Sequence, residues 1–122
     1  MKTILIAEDN DINYFLFQEI LSDMDLILIR AVDGIEAVEI CKSNSNIDLI
    51  LMDINMKTMN GIEAAELINN ICPDIPIIAQ TAYESFGIVK EDKRKYFVEF
   101  MTKPLDVPNL KFLINKYCHI EN

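Results

Sequence analysis

The 122-residue chain is short of positive charge, of histidine, of cysteine and of glycine. Eleven lysines and arginines stand against twenty aspartates and glutamates, a net charge of −9. That balance leaves no basic stripe to lie along phosphates, which argues against direct nucleic-acid binding or an anionic membrane surface. No apolar run approaches the length of a membrane span, and Met1-Lys2 leads into an apolar run without a signal-peptide pattern, so the expected location is the cytoplasm. Cys41, Cys72 and Cys118 are odd in number, widely spaced and in no CxxC arrangement, as expected of reduced structural thiols rather than a disulfide framework. The single histidine, His119, lies in a polar tail, far in sequence from any acidic cluster. The loop Glu8-Asp9-Asn10 is acidic where a phosphate cradle needs Gly, Ser and Thr, which sets aside a flavin-binding module.

What is present is aliphatic and periodic. Apolar residues make up 51% of the chain, enough to bury one real core in a single domain expected to span residues 1–122. Short apolar runs at 3–7, 26–31, 47–52, 75–80 and 97–102 read as strands, and the third is uniform enough to be buried on both faces. Between them lie helical patterns. Residues 11–24 repeat Ile12, Phe15, Leu16, Ile20 and Leu21 at helical spacing after a cap at Asn10 or Asp11. A second helix near 35–42 places Ile35, Val38 and Cys41 on one side, and a third at 62–71 carries Ile62, Ala65 and Ile68. A last helix begins at Asp106 and Pro108 and holds Leu110, Leu113, Ile114 and Tyr117. The stretch 88–95 breaks this pattern, because after Ile88 and Val89 it is almost wholly charged, so any helix there is expected to be short or frayed.

Alternating strands and helices joined by right-handed crossovers give a flavodoxin-like α/β fold, a three-layer sandwich around a parallel five-stranded sheet. The order 2-1-3-4-5 makes the first and third strands neighbours. It also gathers Glu8, Asp9, Asp53, Thr81 and Lys103 at the carboxyl ends of the strands, where such folds bind ligands. Three carboxylates in one cleft repel unless a cation enters, and an all-oxygen donor set suits Mg²⁺. An aspartate beside Mg²⁺, with a lysine and a hydroxyl aimed at the same point, is equipped to accept a phosphoryl group. Each residue alone has a plainer reading: an acidic turn at a helix start, a strand-end aspartate, a solvated lysine, a strand-end threonine. Met52, Met56 and Met59 read as packing residues.

The runs ILIAEDN, LILMDINMKTMNG, IIAQTAY and FMTKP, in that order and at those separations, resemble the receiver domain of two-component response regulators over essentially the whole chain. AEDNDIN is most similar to receivers attached to hybrid sensor histidine kinases. The resemblance implies a phosphorylation-controlled switch of a phosphorelay rather than an enzyme with its own substrate. It makes Asp53 the phospho-acceptor, with Mg²⁺ held by Asp9, Asp53 and the Asn55 carbonyl and by Glu8 through a water. Lys103 and Thr81 then contact phosphoryl oxygens, Lys103-Pro104 is a cis bond, and Phe100 is a switch aromatic moving with Thr81. Tyr83 has two readings, a half-buried loop aromatic or a lid that crowds water away from the acyl phosphate. Implied partners are a histidine kinase or histidine phosphotransfer domain as donor, a downstream protein, and a second copy in a phosphorylation-dependent dimer.

Departures from the family pattern fall in two places. Lys57 stands where a proline is usual, and Lys95-Tyr96 where Ala-Gly is common, with a highly charged segment before them. Two further readings compete with this one. An aspartate-nucleophile phosphatase needs a second acid two residues on, where this chain has Asn55. A degenerate receiver would keep the fold as a protein-binding module without phosphorylation.

Overall fold

The computed structural model describes residues 1–44, 46–82, 89–103 and 105–120. Five parallel strands, β1 (Lys2–Ala7), β2 (Leu26–Ala31), β3 (Leu49–Asp53), β4 (Ile77–Ala82) and β5 (Glu99–Lys103), form one sheet of order 2-1-3-4-5. Helices α1 (Asp11–Ile20), α2 (Gly34–Ser43), α3 (Gly61–Ile71) and α4 (Val107–Tyr117) cover its faces. Every residue of β3 is buried, as the unbroken run LILMD anticipates for a strand enclosed on both faces.

Alternation along the strands divides the core in two. Leu5, Ile50, Met52, Ile77 and Ala79 point to one face and pack with Val38, Cys41, Ala64, Ala65 and Ile68 of α2 and α3. Ile4, Ile6, Leu49, Leu51 and Ile78 point to the other and meet Phe17 and Leu21 with Leu110, Leu113 and Ile114 of α4. Side-chain caps start all four helices: Asn10, Asp33, Asn60 and Asp106 each accept a hydrogen bond from the backbone N–H three residues on.

Two expectations are corrected. On α1 the expected stripe lies only partly on the core face: Leu21 is buried and Ile20 packs against the core, but Ile12 is 78% exposed and Phe15 60%, and Phe17 is buried instead. The helix is apolar around more than half its circumference, and only the side bearing Phe17 and Leu21 meets the sheet. On α2, Ile35 is 43% exposed, and Ala37 takes its place in the core beside Val38 and Cys41. Between β4 and β5 the described residues form a 3-10 turn, Glu91–Tyr96, with no buried residue, as the charge-rich sequence predicts. Ile88, the first residue of that expected helix, lies outside the described residues.

Cys41 and Cys118 are buried free thiols. Burial, helped by nearby Cys72 for the first and Asp48 for the second, pushes each up to about 11, so both stay protonated and serve as packing groups.

Candidate functional site

β1 and β3 are neighbours, with Ala7 opposite Met52, so the residues just beyond them share one end of the sheet. Carboxylate oxygens of Glu8, Asp9 and Asp53 lie within 4.8 Å of one another. Glu8 and Asp53 are buried, and Asp9 is half-buried at the rim. From β5, Lys103 reaches across to place its Nζ 3.3 Å from Asp53 Oδ2. Asp53 Oδ1 accepts the backbone N–H of Asn55 at 3.0 Å. One ammonium offsets only part of three negative charges. Burial first, and then the charge of Asp53, hold the Glu8 carboxyl above its ordinary range, opposed by the Asn10 N–H and by Lys103.

The loop after Asp53 is built for close approach. A Cβ on Gly61 would lie 2.3 Å from the Asp53 carbonyl oxygen, so α3 begins hard against the strand end only because that residue is glycine. A Cβ on Gly34 would likewise strike the Met59 carbonyl at 2.4 Å, which seats α2 against the same loop. Between them Thr58 has φ 72°, and Met59 N–H donates to the Lys57 carbonyl across it. This γ-turn is of the rare, strained hand, and strain of that kind persists where the surroundings over-determine it. Lys57, exposed in place of a proline, therefore sits in a loop fixed by its neighbours rather than by a pyrrolidine ring.

Thr81 is fully buried on β4, and its hydroxyl donates to the Ala82 carbonyl at 3.2 Å. Phe100 on β5 is half-buried, with its ring centre 5.4 Å from that of Phe97. Tyr83 and Pro104 lie outside the described residues, and with them the lid reading and the Lys103-Pro104 bond. Two contributors were missed in the sequence. Gln80, only 3% exposed, lines a cleft of about 230 Å³ with Glu8, Lys103, Leu16 and Leu105. A polar residue inside the apolar run IIAQ was the signal for it. Arg30, from the end of β2, donates through Nε to the Glu8 carbonyl at 3.1 Å. No local pattern marks a long side chain that reaches between strands.

A clustered set of hard oxygen donors with excess negative charge fits a Mg²⁺ ion, which takes carboxylates and carbonyls and keeps positions for water and phosphate oxygens. Among the described residues no histidine or cysteine belongs to that cluster.

Residues 4–115 match the model of the response regulator receiver domain. The chain belongs to that family. It is 30% identical over 118 residues to the polar-differentiation response regulator DivK of Brucella anthropi, covering 95% of each chain. Among solved structures it resembles the response regulator TrrA of Thermotoga maritima in complex with Mg²⁺-BeF, at 29% identity and TM-score 0.86, over 96% of this chain and 99% of that one. It also resembles the receiver domain of a sensor histidine kinase from Pseudomonas aeruginosa with magnesium coordinated in its active-site cleft, at 25% identity and TM-score 0.86, over 97% and 98%. The protein is thus a phosphorylation-controlled signalling domain of the two-component type, not an enzyme with a separate substrate, and it implies a histidine kinase as phosphodonor. No helix of the described residues is long and apolar enough to cross a membrane.

Proposed function

We propose that residues 1–122 form one receiver domain in which Asp53 accepts the phosphoryl group. The observation that carries this reading is the placement of Asp53: buried at the end of the central strand, one oxygen on the Asn55 N–H, the other facing Lys103, with two further carboxylates alongside. Asp9, Asp53 and the Asn55 carbonyl hold Mg²⁺, with Glu8 acting through a water. Bound there, Mg²⁺ neutralises charge on the transferring phosphoryl oxygens.

An Asp53 carboxylate oxygen attacks phosphorus, the new O–P bond forms as the donor's N–P bond breaks, and the histidine imidazole leaves with its electron pair and takes up a proton. Lys103 then moves its ion pair from the free carboxylate to the phosphoryl oxygens. Thr81 turns its hydroxyl from the Ala82 carbonyl to the same group, and Phe100 follows into the space beside it. A downstream protein or a second copy reads the altered face made by the 3-10 turn, β5 and α4.

The donor is a histidine kinase or a histidine phosphotransfer domain. Ile12, Phe15 and Leu16 give it an apolar landing surface at the mouth of the cleft lined by Leu16, Glu8 and Lys103. Attachment to a hybrid sensor kinase is the finer reading of AEDNDIN, and it has support in the kinase receiver at 25% identity, beside DivK at 30%. A cytoplasmic place agrees with the free thiols and acidic charge.

Acetyl phosphate with Mg²⁺, followed by intact mass measurement, tests the reading. One labile phosphate on the wild type and none on Asp53→Asn is expected. An equally labelled Asp53→Asn refutes the acceptor.

A further inference from the structure

We propose that Arg30 is a positioning residue for the metal-binding corner, holding the backbone of the Glu8-Asp9 loop and the first residue of α1 in one rigid frame. The inference rests on the reading of Asp9 and Glu8 as the Mg²⁺ groups. It names a residue on β2 that approaches the cluster only through its side chain.

The corner is fastened from β2 at successive points. Glu8 N–H donates to the Ala31 carbonyl at 2.9 Å, continuing the β1–β2 ladder one step past its end. The Glu8 carbonyl accepts Arg30 Nε at 3.1 Å. Nη1 of the same guanidinium reaches Asp11 Oδ1 at 2.7 Å, and its carbon lies 5.0 Å from the centre of the Tyr14 ring. Asp9 therefore sits between two residues tied to one planar group. Beyond it, Asn10 N–H donates to Glu8 Oε2 at 3.2 Å, and Asn10 caps α1 by accepting Asn13 N–H.

Arg30 keeps this position at a cost. Its Nη2 is buried without a hydrogen-bond partner among the described residues. A guanidinium placed for its own solvation would not leave a donor so. Its place is set instead by the two groups it bridges. The Asp11 pair is too exposed, at 90% for the Asp11 side chain, to contribute much stability by itself, so its role is orientation of the fork. A lysine has no rigid fork and cannot serve a carbonyl and a carboxylate with fixed geometry.

Charge and geometry act in opposite directions here, which makes the idea testable. A cation beside the corner repels Mg²⁺, so a purely electrostatic Arg30 weakens metal binding, whereas a positioning Arg30 strengthens it. Arg30→Lys keeps the charge and removes the fork. Tyr14→Leu keeps the charge and removes the ring on which the fork lies.

Calorimetric titration with MgCl₂ alone, melting curves and amide exchange are measured on the wild type and both variants. Arg30→Lys is expected to bind Mg²⁺ about tenfold more weakly. Tyr14→Leu is expected to move in the same direction by less. In metal-free protein, the Glu8 and Asn10 amides of Arg30→Lys should exchange about tenfold faster while those of β3 stay unchanged, a local effect that a general loss of stability does not give. Wild-type exchange at Glu8 and Asn10 in both folded variants overturns the inference whatever the metal does. A wild type that binds no Mg²⁺ overturns the metal reading instead, and leaves the exchange arm to decide Arg30.

Discussion

The corner between β1 and α1 and the connection from β4 to β5 lie at opposite ends of the proposed signalling path, and they are held by different means. At the corner, backbone groups of Glu8 and Asn10 are bonded, the helix is capped, and a buried carboxylate is the centre of the arrangement. In the described part of the connection, the 3-10 turn Glu91–Tyr96 has no fully buried residue, and only Tyr96 packs half-buried against the core. The turn is fastened to α3 by Lys93 on Glu66 at 2.6 Å and internally by Arg94 Nε on the Val89 carbonyl. Phosphoryl chemistry needs groups fixed before the reaction, and an output face needs states separated by little free energy. The described contacts are distributed accordingly, with more fixed groups at the corner than along the turn.

Gly61→Ala attacks the rigid end hardest. With a Cβ 2.3 Å from a backbone oxygen there is no flexible atom to give way, so either α3 or the end of β3 moves. A loss of about 3 kcal/mol in unfolding free energy is expected, at the upper end for overpacking. Denaturant titration checks it, and wild-type stability would show that the strand end is softer than its contacts imply.

Asp9→Asn separates the chemistry of the corner from its architecture. Removing one of three clustered carboxylates should weaken Mg²⁺ by at least about tenfold, since changes even to groups that only support a metal ligand cost that much. The metal-free protein should become more stable, because like charges in a half-buried cluster oppose folding. Melting with and without Mg²⁺ reads both signs at once. If the variant melts lower than the wild type in chelator, Asp9 has a structural part that the cluster does not reveal.

These two positions also show what was legible in the sequence. Strand order, the gathering of Glu8, Asp9, Asp53 and Lys103 at one end of the sheet, and the short turn before β5 all follow from run ends, crossovers and charge. The face of α1 did not follow. The expected stripe joins residues 12, 15 and 16 to 20 and 21, whereas 14, 17 and 21 make a second one, and periodicity cannot say which is covered when both exist. Arg30 and Gln80 were missed for a related reason: their roles depend on which strand they face, a property of register rather than of local pattern.

The exposed stripe of α1 supplies the next test, with a smaller effect. Phe15→Ser should leave labelling by acetyl phosphate unchanged and slow transfer from a phosphorylated histidine phosphotransfer domain several-fold, because only the protein donor needs the apolar surface. Equal slowing with both donors would mean that the substitution disturbs the cleft itself. Equal rates with both would remove α1 from the docking surface.

The smallest effect is expected from Lys93→Ala, at the soft end. Lys93 and Glu66 form a half-exposed pair at the surface, so it adds little to global stability, and high salt should weaken it further. Its work is local. The hydrogen bond from Lys93 holds the Glu66 carboxyl below its ordinary range, and the same bond holds the Lys93 ammonium above its own. The carboxyl's share of the tie is complete above the ordinary glutamate range and is lost as pH falls through the depressed value. The ammonium's share is complete below the ordinary lysine range and is lost as pH rises through the raised value. The tie is therefore intact across the neutral range and fails in acid, where Glu66 takes up a proton. Amide exchange at Lys93 and Phe97, whose N–H groups close the 3-10 turn on the Lys90 and Arg94 carbonyls, should be faster in Lys93→Ala at neutral pH, with α3 unaffected. In acid, after correction for intrinsic exchange, wild type and variant should converge. A difference that persists when Glu66 is protonated would mean that Lys93 steadies the turn through the Tyr96 ring, 5.9 Å from its Nζ, and not through the carboxylate.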